Sequence, residues 1–287
     1  MYRTMPYGYR NTILVFGLAL TSIILVGYLV TFILILCTDW VGFEQIFSQA
    51  QDRSQSTWWL LYPGATQPGW QHLWYLGGLF LLILICVISC VVLKRLYERT
   101  ASAEIFFFLF FLYSISFEAI WLWSAIAIVK ETPVFLGVML SKIILFGRFF
   151  GLISLLFSSL YAIEMSYQKF PILMLSPVLI SLALTYTLPI DSSVLMSNFL
   201  YKLGDAKSHW IVTLVLEIVT ILNFLIAAYR REKRPFVWIA LGVFLVLLGK
   251  ELLIFMLGPL PIAISIVLAI TGIWIFSKQI YRVYLWT

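Results

Sequence analysis

The chain has 287 residues, of which 62% are hydrophobic and 11% charged, with a formal net charge of +6. A soluble domain carries about 25% charged residues, so this composition excludes a water-facing globular surface and points to a membrane protein. The lysines and arginines lie in short clusters between apolar runs, a placement that marks membrane topology and argues against nucleic acid as a partner.

A crossing of the hydrocarbon core needs about 20 apolar residues. Segments of that kind recur at 13–37, 73–93, 104–129, 134–163, 171–190, 210–229, 236–257 and 261–277. They predict an all-α, polytopic bundle of about eight spans in a single integral membrane domain, 1–287. The first segment follows Arg3 and Arg10. It is longer than the hydrophobic region of a signal peptide and has no small-residue cleavage site, so it is expected to remain as a span.

Residues 38–72 form the longest connection. Its FEQIFSQA and WWLLYPG pieces suit the membrane surface, as an interfacial packing loop or a lid over a site. Trp40, Trp58, Trp59, Trp70 and Trp74 supply rings for headgroup depth. The second segment holds Cys86 and Cys90 on one helical face. With Cys37 they read as small apolar residues rather than a metal set. Ser114, Glu118, Trp121 and Ala125 mark a face of the third segment. The fourth carries Gly147 and Gly151 followed by Ser154 and Ser158, a small-residue face that admits a close helix neighbour. Ser176-Pro177 predicts a kink in the fifth. Thr213, Glu217, Thr220 and Asn223 stripe the sixth, and the G-P-L-P turn at 258–261 separates the last two. Tyr281, Tyr284 and Trp286 close the chain as further interfacial anchors.

Alternating sides from a cytoplasmic N-terminus places Arg3, Arg10, Lys94, Arg95, Arg99, Lys169, Arg230, Arg231, Lys233, Arg234, Lys278 and Arg282 inside. Only Arg53, Lys130, Lys202 and Lys207 then lie outside. This is the positive-inside bias of short loops. It predicts cytoplasmic N- and C-termini and localisation in the cell membrane, with the lipid bilayer as first partner.

Six charges are left within the spans: Glu118, Lys142, Arg148, Glu217, Lys250 and Glu251. At 1.5 Å per residue they lie about 10–20 Å from the outer ends of their helices. A charge at the centre of a span costs about 2.5–3.5 kcal/mol on insertion scales, so equal numbers of acids and bases at similar depth predict a paired network. Arg148, beside the Gly147–Gly151 face, is expected to point into the bundle. Glu118 and Glu217 are candidate partners of Lys250, and Arg148 of Glu251; the sequence leaves the actual pairing open, with Glu118, Glu217 and Glu251 all within the choice for Arg148. Lys250 and Glu251 project about 100° apart and suit each other poorly. Lys142 is the one placed to snorkel outward. His72 and His209, at outer ends of spans, read as interfacial polar residues.

The sequence has no phosphate-binding G-x-x-x-x-G-K-[ST], no H-E-x-x-H and no G-x-S-x-G. No cofactor or metal is implied, and no bound ligand can be named. The expectation is a non-enzymatic binding, sensing or assembly component that acts through other membrane or cytoplasmic proteins. The alternative is a small-solute or ion transporter, proton-coupled in one version, with its site at the charge network.

Overall fold

The computed structural model describes residues 7–38, 70–130, 132–163, 170–195, 201–255 and 259–285. The surface loop expected at 38–72, with Trp40, Trp58 and Trp59, lies outside the described residues, as do Arg3, Lys169 and Trp286; only its junction with the next helix falls within them.

The fold is all-α. In hydrocarbon every backbone N–H and C=O must be satisfied within the segment, so each long apolar run becomes a helix. In chain order these are α1 (Tyr7–Thr38), α2 (Trp70–Thr100), α3 (Ala103–Ile115), a 3-10 turn (Ser116–Ala119), α4 (Ile120–Val129), α5 (Val134–Ala162) and α6 (Phe170–Thr187). After a two-stranded ribbon, β1 (Ile190–Leu195) and β2 (Tyr201–Leu203), come α7 (Ala206–Arg230), α8 (Pro235–Phe255) and α9 (Pro259–Leu285). Among the described residues seven helical segments are long and apolar enough to cross a membrane, the α3–α4 unit being one of them. The remaining one, α6, is 18 residues long and holds Pro177 within it.

The connections follow from local chemistry. Ser102 caps α3 by accepting a hydrogen bond from the Ile105 amide at 3.3 Å. Asp205 caps α7 through the Ser208 amide at 3.0 Å. Pro235 and Pro259 open α8 and α9, where a missing N–H costs nothing. The antiparallel ribbon pairs Ile190 with Leu203 and Asp191 with Lys202. Tyr201 fixes it to the start of α5: its amide donates to Ser141 Oγ at 3.2 Å.

At the centre stands α3, all thirteen residues of which are buried. Phe106, Phe107 and Phe108 point in different directions from it. Phe106 meets Tyr97 of α2, Phe107 meets Phe157 and Tyr161 of α5, and Phe108 stacks on Phe276 of α9 at 3.8 Å. Tyr113 donates to the Leu14 carbonyl of α1 at 2.8 Å. The opposite extreme is α1, whose Phe16, Ile23 and Val26 are exposed to the surroundings, as a helix at a lipid boundary requires.

Two close helix contacts organise the rest. The small face of α5 lies along the third apolar unit: a Cβ at Gly147 would meet the Phe117 side chain at 2.5 Å, and one at Gly151 would collide with the Ser114 hydroxyl. Ser154 and Ser158 continue this buried face, and Ser158 donates to the Glu104 carbonyl at 2.8 Å. The antiparallel pair α8–α9 is closer still, backbone against backbone. A Cβ on Gly242 would lie 2.8 Å from the Gly272 carbonyl, and one on Gly249 2.7 Å from that of Ser265. Three glycines thus do for α8–α9 what Gly147 and Gly151 do for α5.

Candidate functional site

Glu118 sits where the third apolar unit departs from α-helical geometry. The 3-10 turn Ser116–Ala119 interrupts it, a break beyond those expected at Ser176-Pro177 and 258–261. Two hydroxyls at its start account for it. Ser114 Oγ donates to the Phe111 carbonyl at 2.7 Å and Ser116 Oγ to the Tyr113 carbonyl at 2.6 Å. Such i−3 bonds compete with the helical ladder and bend it.

The carboxylate carried by this turn is held by Arg148 of α5. Nε donates to Oε1 at 2.8 Å and Nη2 to Oε2 at 3.0 Å, a bidentate pair with side-chain exposures of 20% for Arg148 and 6% for Glu118. The guanidinium fork matches the two carboxylate oxygens, the strongest geometry open to a charged pair. Of the three acids open to Arg148 in the sequence, Glu118 is the one it holds, rather than the first candidate, Glu251. The glycines place Arg148 against the unit that carries Glu118, and Glu251 belongs to a different neighbour.

The remaining charges come from α7 and α8. Lys250, 6% exposed at its side chain, lies 3.8 Å from Glu251 Oε1. The two adjacent residues approach each other only beyond hydrogen-bonding distance, the poor match their angular separation implied. Lys250 also acts electrostatically on Glu118, His209 and Glu217, and Glu251 acts on Glu217. Glu217 Oε1 is buried without a hydrogen-bond partner among the described residues. The same holds for His209 Nδ1. His209 packs edge-on against Phe149 with ring centroids 5.2 Å apart, and the charges of Arg148 and Lys250 reach it. It lies in the first turn of α7, at the helix end where an interfacial polar residue was expected, on the side that faces Arg148 and Lys250. The side chain of His72 lies outside the described residues.

Lys142 does not join. Its ammonium lies 5.6 Å from the ring centroid of Tyr186 on α6, which is 83% exposed, the outward placement that a long aliphatic stem permits. The polar stripe on α7 divides its work. Asn223 donates to Ser159 on α5 at 3.1 Å and joins helices, whereas Glu217 faces the cluster.

The cluster thus has a saturated half, Glu118 with Arg148, and an unfinished half, Glu217, Lys250 and His209. An unpartnered buried polar atom costs about 1–3 kcal/mol, and more when charged. The unfinished half supplies a cation, an anion and an imidazole with hydrogen-bonding capacity to spare. Among the described residues no group of three or more His, Cys, Asp or Glu is placed to hold a metal ion. Towards the other end of α3 the bundle is filled by rings, including Phe106 against Phe110 at 4.7 Å.

A further buried carboxylate escaped the sequence reading. Glu104, expected at the very edge of its span, is fully buried in the first turn of α3. Its Oε2 accepts from Ser102 at 2.7 Å and from the Tyr284 hydroxyl at 2.6 Å. Tyr284 accordingly ties the end of α9 to the start of α3, where an interfacial anchor was expected. The signal was the S-A-E triplet at 102–104, a capping residue with an acid two places on.

Comparison with protein-family models, with curated proteins and with solved structures finds no match to this chain.

Proposed function

We propose that this chain crosses the membrane eight times with both termini cytoplasmic, and that it binds a small charged solute in the outer half of the bundle at Glu217, Lys250 and His209. It acts as a non-enzymatic binding or sensing component whose output passes through other proteins. The observation that carries this reading is the unfinished half of the charge cluster. A purely structural network of opposite charges is expected to satisfy its own members, as Glu118 and Arg148 do. Buried ionisable groups in a span that keep unused hydrogen-bonding capacity are functional by default. The aromatic filling between this cluster and the basic end favours a receptor over a through-passage. The described connections on the basic side are short, 101–102 and 231–234 among them.

The helix break at Glu118 favours a second reading, a transporter, since carriers place solute and ion sites at discontinuous helices near the midplane.

The test uses the purified full chain in lipid nanodiscs. Its thermal stability is measured against sodium, potassium, single amino acids, dicarboxylates and polyamines. A ligand at 100 times its Kd stabilises by about 2.7 kcal/mol. Binding at the cluster requires that Glu217→Gln and Lys250→Met abolish the shift while Lys142→Met leaves it. A shift that persists in both cluster variants would move the site elsewhere. Uptake of the stabilising solute into sealed vesicles would decide for the transporter.

A further inference from the structure

The basic end of the molecule carries a feature that the charge cluster does not explain. A cavity of about 330 Å³ opens between the start of α8 and the last turns of α9, lined by Lys233, Pro235, Arg282 and Val283. From the Gly242–Gly272 contact, Pro235 lies about 10 Å along α8 and Arg282 about 15 Å along α9. The cavity therefore sits at the ends of two membrane helices, where hydrocarbon gives way to headgroups. Two of its walls are apolar, Pro235 and the buried Val283; the other two are cations.

Neither cation is engaged in an ion pair among the described residues, although two neighbouring basic groups are occupied. Arg231 donates to the Tyr161 carbonyl at 3.1 Å and lies 5.2 Å from the Phe236 ring centroid. Lys278, one turn before Arg282, lies 4.5 Å from the ring centroid of Trp274. Continuing down α9 at helical spacing, Trp274, Ile270 and Val267 are 58%, 47% and 61% exposed. One stripe of the helix thus runs from cation through aromatic ring to bare aliphatic surface. That is the polarity profile of a phospholipid read from phosphate to acyl chain.

We infer that the Lys233–Arg282 cavity is a binding site for an anionic phospholipid headgroup, with its phosphate between the two cations and an acyl chain along the Trp274–Val267 stripe. A guanidinium fork and a mobile ammonium are complementary phosphate donors: the first fixes orientation, the second adds charge. Cations at this depth have a membrane partner near at hand, since basic pockets between membrane helices recruit anionic lipids.

The experiment reconstitutes the full chain in nanodiscs of phosphatidylcholine containing one tenth phosphatidylglycerol. Lipid retained by the released protein is then measured by native mass spectrometry. The wild type should keep phosphatidylglycerol in preference to phosphatidylcholine. Each cation near an anionic surface contributes about 1 kcal/mol, so removing both in K233A/R282A should reduce that preference about 30-fold. Arg282→Lys should retain most of it. The control R230A/R234A removes two nearby cations that do not line the cavity, and should change the preference little. The inference is overturned if the control loses as much as the double variant, since a diffuse basic surface would then suffice. Equal retention of phosphatidylcholine by the wild type also overturns it. Thermal melting of each variant confirms that it is folded; should K233A/R282A fail, Arg282→Gln replaces it, with about a fivefold loss expected from one cation.

Discussion

Replacing Arg148 with leucine tests the architecture at the place where charge and packing meet. The substitution removes both donors from a carboxylate that is 6% exposed and leaves Glu118 to bury its charge alone or take up a proton. Each hydrogen bond to a charged group contributes about 1.5–3 kcal/mol. Breaking a buried pair from one side costs about 3–5 kcal/mol. Arg148 at 20% exposure is sheltered enough for that range to apply. Replacing both partners by apolar residues is close to neutral, so Arg148→Leu/Glu118→Leu should recover most of the loss. Glu217→Leu or Glu251→Leu in the Arg148→Leu background should recover little, because neither acid is bonded to the arginine. The assay is reversible unfolding of the purified protein in mixed micelles titrated with sodium dodecyl sulfate, run as a double-mutant cycle. If Arg148→Leu alone costs less than about 1 kcal/mol, or Glu118→Leu gives no rescue, the pair does not hold α5 to the third span.

Gly151→Ala should destabilise by about 1–3 kcal/mol, an overpacking cost, because its methyl would press on Ser114. Gly77→Ala meets nothing within 4 Å and should be neutral or slightly stabilising in the same assay. Glu217→Gln should leave stability unchanged or raise it, since Oε1 of this partly exposed acid is buried without a hydrogen-bond partner among the described residues; Glu118→Gln should lower it, and equal losses from the two would show that Glu217 is as firmly held. Reporter enzymes active only outside the cytoplasm should work when fused after Ala65 or Ser192 and stay silent after Arg231 or Thr287. Activity at Thr287 would mean an odd number of crossings.

The helical class was legible because apolar length is a one-dimensional property. The partner of Arg148 was not, since the choice among three acids depends on helix rotation and on which neighbour the small face meets. Gly147 and Gly151 identified that face, but the sequence does not say that Phe117 and Ser114 lie across it. The break before Glu118 had a local signal, the paired serines of S-I-S-F-E, yet hydropathy passes smoothly over it. Glu104 was hidden by a boundary, for a shift of one turn decides whether an acid counts as loop or core. The glycines of α8 and α9 were passed over because seven-residue spacing across two helices is less conspicuous than a pair within one. The ribbon at 190–203 was missed because strands this short carry almost no periodicity.

The burial of α3 on every side also bears on how the chain is made. A segment buried on every side is enclosed only when helices made both before and after it are in place. Of the helices it touches, α1 and α2 precede it, whereas α5 follows and Phe276 arrives only with α9. Until Arg148 is synthesised, Glu118 has no counter-ion, and insertion of an acid at mid-span costs a few kcal/mol. Glu118 is thus made thirty residues before the arginine that neutralises it, and α5 completes the third apolar unit only after that unit has been synthesised.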